Sequence, residues 1–148
     1  MLLLVHHGDA VGPDIDPMRP LSRAGLVAST ALASSAAARG VKPGLVWHSG
    51  KNRALQTAQL FRAACNPQAG FKAVRGLLPG DPPRWMRDQL LGETRSILLV
   101  GHMPHLPGLL SLLRGDPSDS GVPDFPLNGC VALEANGDVW AEVWRLTG

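Results

Sequence analysis

The chain has 148 residues, of which 45% are hydrophobic, and its formal net charge is +2 at pH 7. This length suits a single domain spanning residues 1–148, and no apolar run approaches the roughly 20 residues needed to cross a bilayer. We expect a cytoplasmic protein that binds neither nucleic acid nor a membrane, because the chain lacks a signal peptide and its arginines are dispersed rather than clustered.

Strand-like and helix-like patterns alternate along most of the chain. The predicted elements are a strand at Leu2–Val5, a helix from Ser22 to about Arg39, a strand at Leu45–Trp47, a helix over about Asn52–Cys65, a short strand at Phe71–Val74, a helix from Pro83 to about Leu91, a strand at Ile97–Val100 and an amphipathic helix through Leu106–Leu113. Polar loops rich in Asp and Pro are expected at 9–20 and 115–126.

The last part of the chain predicts an antiparallel hairpin. Cys130–Ala135 and Asp138–Trp144 flank Asn136-Gly137, which is the strongest short signal for a hairpin turn. Alternating strands and helices followed by a hairpin predict an α/β fold, with a mostly parallel mixed sheet between two layers of helices.

Histidines stand where three of the predicted strands end. The first strand runs into His6-His7-Gly8, the second into His48, and the strand at Ile97–Val100 into Gly101-His102. Because the carboxyl ends of strands line the ligand crevice of an open α/β sheet, these histidines can converge on one site. A glycine at position 8 would allow a ligand to approach the main chain closely.

Four segments in this order resemble the histidine phosphatase superfamily, the phosphoglycerate-mutase-like group. They are LVHHGDA, RPLSRAG, HSGKNRALQTA and LLVGHMPH, and the resemblance covers Met1 to about Leu113. It is closest to the short SixA-type phosphohistidine phosphatases. It implies a phosphoglycerate-mutase-like three-layer sandwich and a phosphatase active in signal transduction, which needs no cofactor or metal and acts on a phosphohistidine-bearing protein or a small phosphorylated molecule.

The resemblance also implies a role for each matching residue. His7 corresponds to the nucleophile of the family's RHG motif, Arg53 to the arginine of the second motif, and His102 to the late strand-end histidine. His6, Gly8 and Arg19 would contact the phosphate. These roles suit phosphoryl transfer, which needs an in-line nucleophile and positive donors around the phosphoryl oxygens.

The chain departs from the family at position 6, where His6 replaces the arginine of the RHG motif. A histidine is a minority cation at pH 7, so the site loses a permanent charge. We expect any activity to be modest, to rise on mild acidification, and to increase when arginine is restored at this position.

The sequence offers two candidates for the general acid, the group that protonates the leaving group. Asp81 is the first candidate and Asp9 the second, although carboxylates of solvated loops have no such role in most proteins. An imidazole leaving group needs less help than an alcohol, which favours phosphohistidine as the substrate. His48 and His105 are expected outside the site, as supporting or surface residues.

Two other classes of function fit the same residues. The chain could be a phosphate-binding or phosphoprotein-binding module whose catalysis is weak or lost because His6 replaces arginine. It could also be a metal-dependent hydrolase, in which His6, His7, Asp9 and His102 hold zinc.

Overall fold

Six strands form one mixed sheet in the computed structural model, which describes residues 1–148. The elements are β1 (Leu2–His6), α1 (Arg23–Ala38), β2 (Leu45–His48), α2 (Asn52–Cys65), β3 (Gly70–Ala73), α3 (Pro83–Leu91), β4 (Ile97–Gly101), α4 (His105–Arg114), β5 (Cys130–Asn136) and β6 (Val139–Leu146). The strand order is β3-β2-β4-β1-β5-β6. Strands β1 to β4 run parallel, and β5 pairs antiparallel with both β1 and β6.

Helices cover both faces of the sheet, so the predicted three-layer α/β/α sandwich is confirmed. Along β1, Leu2 and Leu4 point to the core that contains α3 and α4, whereas Leu3 and Val5 point to the core that contains α1 and α2. Each side chain in this set is at most 1% exposed. Burial on both faces explains the continuous apolar runs of the central strands.

The predicted elements are all present, with small differences at their ends. Strand β3 lies one residue earlier than predicted. In the hairpin, Asn136 pairs with Val139, so the two turn residues are Gly137 and Asp138 rather than Asn136 and Gly137. The positive φ of 65° at Gly137 explains the shift, because glycine adopts this conformation without strain.

Helix α1 is anchored to the loop that follows β1. The Ser22 hydroxyl accepts a hydrogen bond from the Gly25 N–H at 3.0 Å, as expected of an N-cap, and it donates one of 2.7 Å to a carboxylate oxygen of Asp9. Gly25 lies directly against the main chain of Asp9. Helix α1 therefore fixes the path of the chain just beyond His7.

None of the helices has the length and hydropathy of a membrane span.

Gly25→Ala should destabilise the protein by about 1–3 kcal/mol, because the added Cβ would overlap the main-chain O and N of Asp9, which cannot move aside as a side chain could. Urea unfolding measures the loss. Gly92→Ala is the matched control, since nothing lies within 4 Å of a Cβ there. Equal stability of the two variants would contradict this account of the α1 contact.

Candidate active site

The carboxyl ends of three parallel strands lie level with one another. Val100 of β4 is in register with Val5 of β1 on one side and with His48 of β2 on the other. One position further on, His6 is in register with Gly101. The residues that follow each strand therefore meet at one edge of the sheet, as the sequence pattern suggested.

Three imidazoles form a cluster at this edge. The ring centroids of His6 and His7 are 4.4 Å apart, and those of His7 and His102 are 4.9 Å apart. His102 is only 1% exposed, whereas His6 and His7 are half-buried and open toward the solvent. His7 thus lies between the other two rings.

His7 has one ring nitrogen engaged and one free. Its Nδ1 lies 2.7 Å from the carbonyl oxygen of Gly8, and because a carbonyl only accepts, Nδ1 carries the proton. This leaves the lone pair of a neutral imidazole on Nε2. Burial is the main cause that lowers the pKa of His7, and Arg53 and Arg19 add to it, while the Gly8 carbonyl and Asp9 oppose it. A neutral imidazole with a free lone pair has the chemistry required of a nucleophile.

Two arginines face the imidazole cluster without a carboxylate partner. Arg53 lies in the first turn of α2 and is close enough to lower the pKa of each of the three clustered histidines. Burial and the nearby charge of Arg19 lower the pKa of Arg53 itself. Neither guanidinium forms a salt bridge. Unpaired guanidinium groups are suited to bind a phosphate group through its oxygens.

A cavity of about 380 Å³ opens beside Arg53, between the loop before α1 and the start of α2. Its lining includes three cationic side chains, those of Arg19, Lys51 and Arg53, and no acidic one. Arg19 is held there by a 3.0 Å hydrogen bond from its Nε to the Val11 carbonyl, and its φ of 45° is unusual for a residue other than glycine. The opening is therefore electrostatically suited to an anion.

Gly8 serves the fold rather than the approach of a ligand, which corrects the interpretation of this glycine. A Cβ at Gly8 would overlap the Ser29 hydroxyl and would come within 3.0 Å of the Gly25 carbonyl, both on α1. The Gly8 N–H donates to the Thr57 hydroxyl at 3.0 Å, and this hydroxyl donates to the Arg53 carbonyl at 2.8 Å. The amide is therefore already engaged, and it links the end of β1 to the turn that carries Arg53.

His102 contacts a serine that the sequence interpretation did not single out. Its Nε2 lies 2.6 Å from the Ser49 hydroxyl, at the turn between β2 and α2. The pKa of His102 is lowered to about 3, mainly by burial and further by His7, Arg53, His6 and His105. This ring is consequently neutral throughout the ordinary pH range.

Asp81 does not join the imidazole cluster. Its carboxylate accepts a hydrogen bond of 3.0 Å from the Leu78 N–H, and the histidine whose pKa it raises is His105, not one of the clustered three. His48 and His105 are 5% and 1% exposed, so of the two expected positions, supporting or surface, the surface one is wrong for both. The His48 ring packs against Phe71, with 5.0 Å between the ring centroids.

The zinc alternative lacks the required geometry. No group of three or more His, Cys, Asp or Glu side chains is arranged to hold a metal ion. Asp9, one of the four suggested ligands, is exposed and bonded to Ser22.

Asn128 contacts the cluster from a distant part of the sequence. Its N–H donates a hydrogen bond of 2.8 Å to Nδ1 of His6, 122 residues away in sequence. No local pattern could indicate this contact. Ser49 and Thr57, in contrast, lie with Arg53 in the segment HSGKNRALQTA. Their hydroxyl groups in this segment were the available signal for the two contacts.

Acidification should destabilise the protein between pH 6.5 and pH 5. His102 is protonated in the unfolded chain near its ordinary pKa of 6.5 but only near 3 in the folded one, so acid favours the unfolded state. The loss from this residue approaches about 1.4 kcal/mol per pH unit below 6.5. Urea unfolding at several pH values measures the slope. His102→Asn, which cannot titrate, should show a shallower slope, and a wild-type stability independent of pH would contradict the argument.

The fold is similar to that of known phosphatases, whereas no protein-family model and no curated protein sequence matches the chain. The protein histidine phosphatase SixA complexed with tungstate superposes with a TM-score of 0.84 at 21% identity, over 99% of this chain and 96% of that one. A putative phosphohistidine phosphatase SixA from Agrobacterium tumefaciens gives a TM-score of 0.81 at 24% identity, over 99% and 97% of the two chains. A phosphoserine phosphatase from Entamoeba histolytica, in complex with 3-phosphoglyceric acid, gives 0.74 at 14% identity, over 99% and 96%. The expected phosphoglycerate-mutase-like fold is thus confirmed: this chain has the fold of the SixA phosphatases.

Proposed function

We propose that this protein is a phosphatase that hydrolyses phosphohistidine in a protein, or a small phosphomonoester, through a phosphohistidine intermediate on His7. The observation that carries the proposal is the bond from Nδ1 of His7 to the Gly8 carbonyl, which leaves the lone pair of the neutral ring on Nε2. Arg53 is close enough to lower the pKa of His7, and it has no carboxylate partner. A nucleophile and an unpaired guanidinium at one place are the minimum that phosphoryl transfer requires.

The reaction has two steps that use the same nitrogen. The Nε2 lone pair of His7 attacks phosphorus, the bond from phosphorus to the leaving nitrogen or oxygen breaks, and the leaving group takes up a proton. Water then attacks the phosphohistidine, and the P–N bond breaks. Inorganic phosphate leaves, and His7 regains its lone pair.

The charges around His7 favour the transferring group. Arg53 and Arg19 are the permanent cations at the site, while burial keeps the pKa values of His7 and His102 low. Two guanidinium groups can balance the two negative charges of a phosphoryl dianion. The tungstate in the similar SixA structure is consistent with this, because tungstate is a tetrahedral oxyanion like phosphate.

The surroundings favour an imidazole leaving group over an alcohol. Asp81 raises the pKa of His105 and of none of the clustered histidines, and the Asp9 carboxylate, which does raise the pKa of His7, already accepts the Ser22 hydroxyl. An alkoxide departs poorly without a general acid, whereas a protonated imidazole departs readily. Phosphohistidine in a protein is therefore the first substrate to test, and small phosphomonoesters are the second.

His7→Ala should lower turnover of a phosphohistidine peptide by about a thousandfold or more, because the nucleophile is removed. The wild-type chain, quenched during turnover, should carry an acid-labile phosphoryl group that the variant lacks. His48→Asn is the matched control, since its amide oxygen can still accept the Gly50 N–H that Nδ1 of His48 accepts at 3.0 Å. A wild-type chain that binds phosphate but never becomes phosphorylated would instead be a phosphate-binding module.

Arg53→Lys should reduce kcat/KM by about tenfold to a hundredfold, because a point charge replaces a planar fork that forms charged hydrogen bonds worth about 1.5–3 kcal/mol. Steady-state kinetics measure the loss. Arg39→Gln is the control, since that guanidinium lies 4.8 Å from the ring centre of Trp144, away from the strand-end cluster. Undiminished activity of Arg53→Lys would exclude bidentate binding by Arg53.

A further inference from the structure

The hydrogen bond between Asn128 and His6 fixes the state of this imidazole. A main-chain N–H can only donate, so Nδ1 of His6 must hold a lone pair to accept it at 2.8 Å. In a neutral ring the proton is then on Nε2. His6 and His7 are therefore opposite tautomers, although they are neighbours in sequence and their rings are 4.4 Å apart.

The main chain at Asn128 is held in place from several directions. Its φ of 44° lies in the left-handed region, and its side-chain oxygen accepts a 3.2 Å hydrogen bond from the Ser29 hydroxyl of α1. The His6 N–H donates to the carbonyl of the next residue, Gly129, at 2.9 Å. The direction of the Asn128 N–H thus follows from the packing of α1, β1 and β5.

The charges around His6 also favour its neutral form. The titratable groups that face it are His7, Arg53 and His102, and none is acidic. Burial, then His7, then Arg53 lower the pKa of His6 to about 4. A second proton would have to enter at Nδ1, where it would point at the Asn128 N–H.

We propose that Asn128 is a positioning residue whose main-chain N–H fixes His6 as an uncharged Nε2–H donor to the phosphoryl group. The inference rests on the proposed function, because it gives His6 a task at that phosphoryl site. Nε2 forms no hydrogen bond within the protein and is not buried, so its proton is available to an anion at His7. The phosphoryl group would be bound by two permanent cations, Arg19 and Arg53, and one neutral donor.

This assignment reverses two expectations drawn from the sequence. Activity should not rise between pH 7 and pH 5 through protonation of His6. Arginine at position 6 should not improve the site, because a guanidinium has no lone pair for the Asn128 N–H and would leave this donor without a partner. His6 is therefore not a weaker substitute for arginine at this position, because its Nδ1 accepts the N–H that loop 126–129 supplies.

Long-range proton–nitrogen NMR on the full chain labelled with ¹⁵N-histidine tests the tautomer directly. Nδ1 of His6 should show the shift of an unprotonated nitrogen from pH 7.5 to pH 5, and His7 should show the opposite tautomer in the same spectrum. Asn128→Gly, which retains the N–H and tolerates the positive φ, should preserve the His6 signal, whereas Asn128→Val should not. A His6 that is Nδ1-protonated or cationic above pH 5 would overturn the proposal.

Binding of inorganic phosphate at pH 7.5, measured by calorimetry, tests the donor. His6→Asn places an amide oxygen near the position of Nδ1 but lacks a group at Nε2, so its Tm should stay near that of wild type while phosphate binds about tenfold more weakly. His6→Arg should lower the Tm and should not tighten binding. Tighter phosphate binding by a fully stable His6→Arg protein would overturn the proposal.

The two proposals fail in different ways. Loss of turnover with intact phosphate binding and an intact His6 tautomer would contradict the catalytic role of His7 alone. Unchanged phosphate binding by His6→Asn, in an enzyme that still forms a phosphohistidine on His7, would contradict the role of His6 alone. A wild-type protein that binds no phosphate would overturn both.

Discussion

The candidate site depends on the level register of β1, β2 and β4. Val5, Val100 and His48 are paired across the three strands, so the chain leaves the sheet at the same height in each. These strands are buried on both faces, and a slip of one residue would turn every apolar side chain of a strand to the other core. Packing in the two cores therefore fixes the register of these strands, and with it the positions of the imidazoles at their ends. The geometry of the site is a consequence of the same burial that stabilises the fold.

Main-chain groups then give different properties to side chains that are chemically identical. His7 donates from Nδ1 to the Gly8 carbonyl, whereas His6 accepts at Nδ1 from the Asn128 N–H. The first contact directs a lone pair outward and the second directs a proton outward. A free lone pair and a free N–H are thereby presented side by side by two histidines. Because carbonyl and N–H groups cannot exchange roles, the fold fixes the tautomer of each neutral ring.

The sequence predicted the elements of the fold well, because the buried faces of the central strands and helices correspond to the regular spacing of apolar residues along the chain. It also placed His7, Arg53 and His102 at strand ends and at a helix start, where the topology was expected to bring them together. Contacts between distant segments were not predictable. The bond from Asn128 to His6 joins a loop before β5 to the end of β1, and no pattern near Asn128 signals it. Gly8 was misinterpreted for the same reason, since the residues that fill the space beside it belong to α1.

Arg19 and Arg53 have no carboxylate partner, and this has an electrostatic consequence for binding. Arg53 disfavours the charged forms of His6, His7 and His102, and Arg19 lowers the pKa of Arg53, so the two guanidinium groups repel one another in the free protein. Salt bridges within the protein would relieve this repulsion, but they would also occupy the guanidinium groups. An anion between the arginines relieves it without that drawback, and it favours proton donors directed at it. Because repulsion remains in the free protein, binding of an oxyanion is favoured over binding of a neutral ligand, whether or not hydrolysis follows.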